Sequence, residues 1–347
     1  MEQTITRKRA RRGSSVILKS RKIQEKEPKA VSEQTVTRRK FIKDIFIFAT
    51  LGYAIVTRGV NLREDNDDSS KVSMANSQAE LKNGEDTANV YRSALQVKIE
   101  DYIDQMRESG MIEPDETTAW LVYDLSKKKE LVLVNENLSL QSASMVKPLV
   151  ALAFFHKVKQ GELPYDDKSK RYLRLMIQRS RNYATNWIMQ QIGGPQIVDS
   201  LLKDHYGDIF RQTEIVEYIP PGGTTYKNRA SASDYNRFLY ALWNNELPYS
   251  QEIKELMSLP KGTSALGDFP AGAKVMHKTG NTARLCGDIA ILEAEGMKGS
   301  CAYTLISIIE KEQSATYYAG WRRTKKSVIR EGANIVHDFM KKNGSVG

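Results

Sequence analysis

The sequence predicts an α/β (α+β) fold: a five-stranded antiparallel sheet, flanked by N- and C-terminal helices, with an all-helical lobe inserted between strands 2 and 3. Three observations lead to this prediction. Apolar residues recur at helical spacing at both ends of residues 91–347. Two short β-rich runs follow the first helix, and three more precede the last. The region between them has mostly helical periods interrupted by glycine and proline turn signals.

The predicted elements follow in a simple order. An amphipathic helix covers residues 90–107, and the runs 118–125 and 130–134 form a hairpin across a short lysine-rich turn. Helices then occupy residues 144–259. The later elements are three β-like runs, 273–278, 287–293 and 301–309, and an amphipathic helix at 327–342.

The formal net charge of +10 is concentrated at the N-terminus. Residues 1–43 carry 14 Lys and Arg against four acidic residues, whereas residues 44–347 carry 38 of each sign. A fold that grips nucleic acid needs excess positive charge on its folded surface, so the composition argues against a nucleic-acid partner. The 40% apolar content is enough for a sizeable core.

Three segments precede the predicted domain: a basic disordered tail (1–36), a signal or membrane anchor (37–58) and a polar acidic linker (59–90). The sequence Thr-Arg-Arg-Lys-Phe-Ile-Lys at 37–43, followed by an apolar run at 45–57, resembles a twin-arginine signal. This resemblance implies the twin-arginine export machinery as a partner and a periplasmic or other extracytoplasmic location. The alternative is an uncleaved anchor, although 13 residues cover only about 20 Å of a roughly 30 Å hydrocarbon core.

Three short motifs lie in the predicted domain. They are Ser-x-x-Lys at 144–147, Ser-x-Asn at 180–182 and Lys-Thr-Gly at 278–280. Ser-x-x-Lys occurs four times in the chain, but only Ser144 opens an apolar helix after two strands and precedes both other motifs. In this order the motifs resemble those of the penicillin-recognising serine hydrolases, the class A β-lactamases and penicillin-binding D,D-peptidases, over residues 91–347.

The resemblance implies acyl-enzyme catalysis without a cofactor or metal. Ser144 is the nucleophile and Lys147 its activator, because residues at i and i+3 on a helical turn face the same way. Ser180 passes a proton to the leaving nitrogen, and Asn182 orients Lys147 and the substrate amide. Desolvation and a second cation, Lys278, lower the pKa of the Lys147 amine. Taken singly, each motif also fits an ordinary helix cap or turn.

The same resemblance assigns the substrate-binding residues. Lys278 supplies positive potential, the Thr279 hydroxyl binds the substrate carboxylate, and Gly280 belongs to the same strand. The backbone N–H groups of Ser144 and Asn281 form the oxyanion hole. Arg284 is a further candidate for the substrate carboxylate, although a surface arginine fits equally well.

The sequence departs from the class A pattern after Ser-x-Asn. Class A enzymes position the deacylating water with a glutamate in a Glu-x-x-Leu-Asn pattern, which this region lacks. The only glutamates between Asn182 and Ser231 are Glu214 and Glu217. Glu217, just before the Pro-Pro-Gly-Gly turn, is the preferred candidate. If neither faces the site, deacylation is expected to be slow.

Several other polar residues are given structural roles. Asp234 is expected to cap a helix at 235–243, and His277 to lie on the strand face opposite Lys278. Cys286 and Cys301 are out of register on neighbouring strands, which predicts no disulfide. With four His and two Cys in no ligand spacing, a zinc mechanism has no support.

These observations favour a monomeric serine hydrolase that opens the β-lactam ring through a Ser144 acyl-enzyme. Two alternatives stay open. One is a cell-wall D,D-carboxypeptidase or endopeptidase acting on D-Ala-D-Ala stems. The other is a membrane-tethered penicillin-binding sensor, in which the cytoplasmic tail reports acylation of Ser144.

Overall fold

The computed structural model describes residues 93–261, 265–266, 272–297 and 299–343. The predicted N-terminal segments, 1–36, 37–58 and 59–90, lie outside the described residues, so their boundaries stay predictions. No helix in the described part of the chain is long and apolar enough to cross a membrane.

The described residues form eight α-helices and seven strands. The helices are α1 (Ala94–Glu108), α2 (Lys147–Lys159), α3 (Asp167–Ile177), α4 (Asn182–Ile192), α5 (Pro195–Tyr206), α6 (Ala232–Trp243), α7 (Ser250–Ser258) and α8 (Tyr318–Asn343). The strands are β1 (Glu116–Asp124), β2 (Lys129–Val134), β3 (Leu140–Gln141), β4 (Arg229–Ala230), β5 (Lys274–Asn281), β6 (Leu285–Gly296) and β7 (Gly299–Lys311).

Five strands form one antiparallel sheet in the order β2-β1-β7-β6-β5. The chain makes the β1–β2 hairpin, leaves the sheet for helices α2 to α7, and returns as β5. The predicted fold class is therefore confirmed, including the helical lobe between the second and third strands of this sheet. Strands β3 and β4 form a separate ladder, in which Leu140 pairs with Ala230 and Gln141 with Arg229.

Strand β5 continues through Asn281, beyond the predicted end at Lys278. In the added part Gly280 pairs with Gly287 of β6, and Asn281 pairs with Cys286. A β-ladder is made by backbone groups, so the polar residues and glycine that end the apolar pattern do not end the strand.

Helix α2 is enclosed by the lobe. All residues from Leu149 to Phe155 have at most 1% of their surface exposed, as expected for a helix that is apolar on all sides. A 3₁₀ turn, Ala143–Val146, leads directly into this helix. Ser144 is therefore attached to the most deeply buried element of the lobe.

Helices α1 and α8 cover the other face of the sheet. Their core includes Trp120 of β1 with Val328 and Ile329 of α8, all fully buried. The side chain of Gln96 hydrogen-bonds both backbone groups of Leu133, with N···O distances of 3.0 and 2.7 Å. Helix α1 thereby provides hydrogen-bond partners for backbone groups of the edge strand β2 that would otherwise be unpaired.

The prediction that Asp234 caps a helix is wrong. Helix α6 begins earlier, at Ala232, and its N-cap is Ser231, whose Oγ accepts a hydrogen bond from Asp234 N at 3.0 Å. The Asp234 carboxylate instead accepts hydrogen bonds from Gln212 N and Thr213 Oγ1 at 2.8 and 2.7 Å. Two capping-type residues lie three positions apart, and the contact with the 212–213 segment decides between them.

The prediction of no disulfide is confirmed, since Cys286 and Cys301 are both free and buried. On the β6–β7 ladder Cys286 pairs with Ile309, and Cys301 pairs with Ala294. The two thiols are therefore held apart by the register of the sheet.

Candidate active site

The edge strand β5 lies directly against the 3₁₀ turn that carries Ser144. A Cβ added to Gly280 would be 2.9 Å from Met145 Cγ and 3.2 Å from Ala143 Cβ. On the neighbouring strand, a Cβ at Gly287 would be 3.1 Å from Met145 Cε. Side chains at these positions would push the sheet away from the turn, so the two glycines permit the close approach of Lys-Thr-Gly and Ser144.

The residue before Ser144 has an unusual backbone conformation. Ala143 has φ +43°, in the left-handed region, which costs an alanine of order 1–3 kcal/mol. The chain is held there by Ser142, whose backbone N and Oγ both donate to Asn228 O, at 2.8 and 3.0 Å. Ser144 itself is half-buried, so its hydroxyl lies at the surface of the lobe rather than inside it.

Ser144 and Lys147 are brought together by the 3₁₀ turn. The Lys147 backbone N–H donates to Ser144 O, which is the i to i+3 bond of this helix type. Side chains three residues apart eclipse one another in a 3₁₀ turn. The two side chains therefore project from the same side of the chain.

The Lys147 amine is an ionisable group that is both buried and held by several hydrogen bonds. Its side chain is 0% exposed, and Nζ donates to Ser180 O at 2.7 Å, Asn182 Oδ1 at 3.0 Å and Ser180 Oγ at 3.1 Å. Burial, and then the positive charge of Lys278, hold the pKa of the amine well below its usual value. No carboxylate of the described residues is among the charges that act on it.

Ser180 and Asn182 reach Lys147 from the turn between α3 and α4. Ser180 has φ +53°, and Arg181, the N-cap of α4, is extended. The predicted turn at Ser-x-Asn is thus present, and it places both polar side chains of the motif on the same amine. The structure thus brings Ser180 and Asn182 to the Lys147 amine, and Lys147 lies on the same 3₁₀ turn as Ser144.

Lys278 is also desolvated, with 1% of its surface exposed. Its Nζ donates to Thr279 O at 2.8 Å. The pKa of Lys278 is lowered to about 7, chiefly by burial; Asp288 opposes this by raising the pKa, and the nearby Lys261 adds to the lowering. Thr279, beside it, is half-buried.

Asp288 is a residue of the site that sequence reasoning missed. It pairs with Thr279 on the β5–β6 ladder and is fully buried. Its carboxylate lies 3.2 Å from His277 Nδ1 and accepts a hydrogen bond from Ala265 N at 3.2 Å. His277 has a buried acidic partner, in agreement with its predicted structural role. The available signal was a single carboxylate within the apolar run 285–292.

Asn281, the last residue of β5, is half-buried. Its Oδ1 atom is buried and has no hydrogen-bond partner among the described residues. Buried acceptors are nearly always satisfied in folded proteins. An acceptor left open at the end of the Lys-Thr-Gly strand is therefore a place for a donor from a bound molecule.

Among the described residues, the Glu217 carboxylate makes no hydrogen bond to Ser144, Lys147, Ser180 or Asn182. Its Oε1 accepts hydrogen bonds from Thr225 Oγ1, Tyr226 N and Lys227 N, at 2.9, 3.1 and 3.2 Å. These bonds close a loop from 217 to 228. In this loop, a Cβ added to Gly223 would lie 3.1 Å from Asn182 Nδ2, so the loop packs against the site. The hydrogen bonds of Glu217 stabilise the conformation of the loop. Glu214, the other candidate, is exposed.

Arg284 also contacts this loop. Its guanidinium carbon lies 5.3 Å from the centre of the Tyr226 ring, a cation–π distance, and Nε donates to Lys311 O at 3.2 Å. Arg284 thus joins the loop to the sheet. These contacts explain the position of the Arg284 side chain without a bound substrate carboxylate.

The described residues contain no group of three or more His, Cys, Asp or Glu side chains that could hold a metal ion. What they do contain is a serine on a strained turn, a desolvated lysine beside it, and a second buried lysine on the facing strand. Together with the fold, this set defines a serine hydrolase of the β-lactamase-like fold.

Comparison with known proteins gives the family. The model of the beta-lactamase enzyme family matches residues 98–172 and 168–317, so the chain belongs to the beta-lactamase enzyme family. No relative was found among curated protein sequences.

Several solved structures share the fold. PBP-A is 20% identical, with a TM-score of 0.58 over 71% of this chain and 96% of its own. An ancestral class A β-lactamase (GNCA) is 16% identical, with a TM-score of 0.57 over 70% and 99%. A β-lactamase from Chitinophaga pinensis is 15% identical, with a TM-score of 0.58 over 70% and 98%.

The close approach of β5 to the serine turn gives a prediction. Gly280→Ala is expected to lower the free energy of unfolding by about 1–3 kcal/mol, because the new methyl group overpacks against Met145 and Ala143. The measurement is denaturant unfolding. Lys274→Ala, at the exposed start of the same strand, is the control and should leave the stability unchanged. A Gly280→Ala protein as stable as the wild type would contradict this account of the glycine.

Proposed function

We propose that the protein opens the β-lactam ring through an acyl-enzyme on Ser144. The observation that carries the proposal is the buried Lys147 amine, which has a lowered pKa and lies on the same turn as Ser144. A neutral amine can accept a proton, and serine is a poor nucleophile until a base removes the proton of its hydroxyl group.

The proposed acylation relays protons through Lys147 and Ser180. Neutral Lys147 takes the Ser144 hydroxyl proton as Oγ attacks the lactam carbonyl, and the carbon–nitrogen bond of the ring then breaks. Ser180 gives its proton to the leaving nitrogen and recovers one from Lys147, whose Nζ is 3.1 Å from Ser180 Oγ. The backbone N–H groups of Ser144 and Asn281 are assigned to the oxyanion, a role worth about 3–4 kcal/mol per donor in other enzymes.

Substrate binding is assigned to the β5 side of the cleft. Protonated Lys278 and the Thr279 hydroxyl receive the substrate carboxylate. Asn281 Oδ1, a buried acceptor without a partner among the described residues, receives an N–H of the substrate. These assignments need a ligand that carries both a carboxylate and an amide, as β-lactams and D-Ala-D-Ala stems do.

The release step favours a second candidate function. Glu217 Oε1 accepts three hydrogen bonds within its own loop, and no carboxylate among the described residues forms an ion pair with Lys147. An acyl-enzyme without a base to activate water is long-lived. The protein then behaves as a penicillin-binding D,D-peptidase. In support, one of the similar solved structures is a PBP-A mutant in an acyl-enzyme complex with penicillin G.

Penicillin labelling and turnover separate the two functions. We expect one fluorescent penicillin bound per chain, and a chromogenic cephalosporin opened in a single stoichiometric burst followed by slow release. Ser144→Ala should abolish both signals. Glu217→Gln should leave the slow release rate within about twofold of wild type, because Glu217 is not placed to activate water.

Two outcomes would overturn parts of this proposal. No labelling of a folded protein with Ser144 intact would reject the acyl-enzyme. Fast, sustained turnover that is lost in Glu217→Gln would restore Glu217 as the deacylating base and identify the protein as a β-lactamase.

The acylation rate is expected to depend on pH through Lys278. Its pKa is lowered to about 7, so the amine of the free protein is charged below this pH and neutral above it. A carboxylate-bearing β-lactam should therefore acylate Ser144 more slowly as the pH rises through about 7. Asp288 raises the pKa of Lys278, so Asp288→Asn should move this decline to lower pH. The measurement is the second-order labelling rate from pH 5 to 9, and an unchanged profile in a folded Asp288→Asn protein would exclude the assigned role of Lys278.

We also propose that the domain works outside the cytoplasm, exported through the twin-arginine machinery. The support is the arginine pair at 38–39 ahead of an apolar run, in a chain whose remaining residues are neutral overall. Replacing both arginines by lysine keeps the charge and should retain the protein in the cytoplasm, as measured by fractionation of the producing bacterium. Unchanged export of the twin-lysine variant would reject this route.

A further inference from the structure

The rim of the candidate site carries an unbalanced positive charge. Residues 168–198 contain six basic residues and no acidic residue, although the body of the protein is neutral. All six are exposed. We call them the basic rim: Lys168, Lys170, Arg171, Arg174, Arg179 and Arg181.

The basic rim is continuous with the catalytic residues. Ser180 and Asn182 turn inward to the Lys147 amine. The residues on either side of them, Arg179, Arg181 and Tyr183, are exposed. The same short segment therefore supplies the interior of the site and its outer edge.

This charge is unfavourable for the isolated domain. Lys170 and Arg174 lie four residues apart on α3, Arg171 and Arg174 three apart, and like charges at these spacings destabilise a helix. Lys168 and Lys170 lie near the positive end of the helix dipole, where Asp166 and Asp167 offset part of their charge; the Lys170 amine lies 4.0 Å from the Asp167 carboxylate. Arg171, Arg179 and Arg181 form no ion pair within the described residues. An anionic partner would offset these repulsions.

An aromatic shelf adjoins the basic rim, formed by Tyr172, Tyr183 and Trp187. The Tyr172 and Trp187 rings lie 4.2 Å apart at 35°, and Tyr183 meets Tyr172 edge-on at 6.3 Å. Tyr183 is 58% exposed, and the Lys168 amine lies 5.1 Å from the Trp187 ring centre. Tyr172 and Trp187 are half-buried against each other and the lobe core, so Tyr183 offers the exposed ring. An exposed ring beside cations suits a ligand that has both rings and negative charges.

We propose that the basic rim and the aromatic shelf bind a cell-wall glycopeptide polymer, in which sugar rings stack on the shelf and peptide carboxylates pair with the rim arginines. The choice of ligand rests on the proposed function, since a chain that acts on peptide stems must hold the polymer that carries them. A lipid surface accounts for the positive charge but not for stacked rings beside the Ser180-Arg181-Asn182 turn.

The test compares full-length proteins that all carry Ser144→Ala, so that binding is measured without turnover. Each is sedimented with insoluble peptidoglycan at 0.15 M salt. The rim variant is Lys170→Gln, Arg171→Gln and Arg174→Gln, all on α3 and outside the catalytic contacts; glutamine keeps the helix propensity. The control variant is Lys98→Gln, Lys341→Gln and Lys342→Gln. It changes the net charge by the same amount at exposed positions of α1 and at the C-terminal end of α8. The basic N-terminal tail is present throughout.

We expect the rim variant to bind peptidoglycan at least fivefold more weakly than the control variant. Tyr183→Ala should bind peptidoglycan more weakly than the parent protein at both low and high salt. Equal losses in the rim and control variants, or no binding by the parent protein, would overturn the proposal. So would rim-dependent binding to phosphatidylglycerol vesicles without binding to peptidoglycan, which would identify a lipid surface instead.

Penicillin labelling of the same rim variant with Ser144 intact keeps the two proposals apart. The three α3 residues changed in this variant make no hydrogen bond with Ser144, Lys147, Ser180 or Asn182, so labelling should proceed at the parental rate. Failure of labelling in the parent would reject the proposed function, whereas normal labelling with unchanged sedimentation would reject only the glycopeptide surface.

Discussion

The arrangement of the site depends on a lysine amine enclosed in the helical lobe. Lys147 is fully buried, and its hydrogen bonds go to Ser180 and Asn182. Removing an amine from water without a counter-ion disfavours its charged form. The fold therefore lowers the pKa of this amine, as its proposed role as a base requires, and contacts with three oxygen atoms fix its position. The left-handed turn at Ser180 and the enclosed helix α2 together position the contacts between Lys147 and Ser180.

The second constraint is the narrow gap between sheet and lobe. Gly280 and Gly287 allow β5 to approach the serine turn, and this approach places the two lysines close enough for the charge of Lys278 to lower the pKa of Lys147. Asp288 acts from the other face of the sheet and partly restores the positive charge of Lys278. The electrostatic balance of the site is thus distributed over two strands and the lobe, not contained in the motifs alone.

The loop from 217 to 228 explains why the family does not by itself determine the reaction. In this loop Glu217 and Asn228 satisfy backbone groups, and Arg284 joins the loop to the sheet. These side chains stabilise the wall of the cleft. In the proposed reaction, acylation depends on residues that the motifs contain, whereas the rate of release depends on how this wall is built.

The sequence alone determined the order of elements, the helical insertion and the three motifs that converge, because periodicity and spacing are local properties of the chain. It determined the absence of a disulfide for the same reason, through strand register. Tertiary structure decided which of Ser231 and Asp234 caps α6 and that β5 continues past Lys278. It also decided that Glu217 and Arg284 shape a loop, and that Asp288 lies behind Lys278. These outcomes rest on contacts that helical or strand periodicity does not encode, because a polar side chain has several possible partners and only the packed fold selects one.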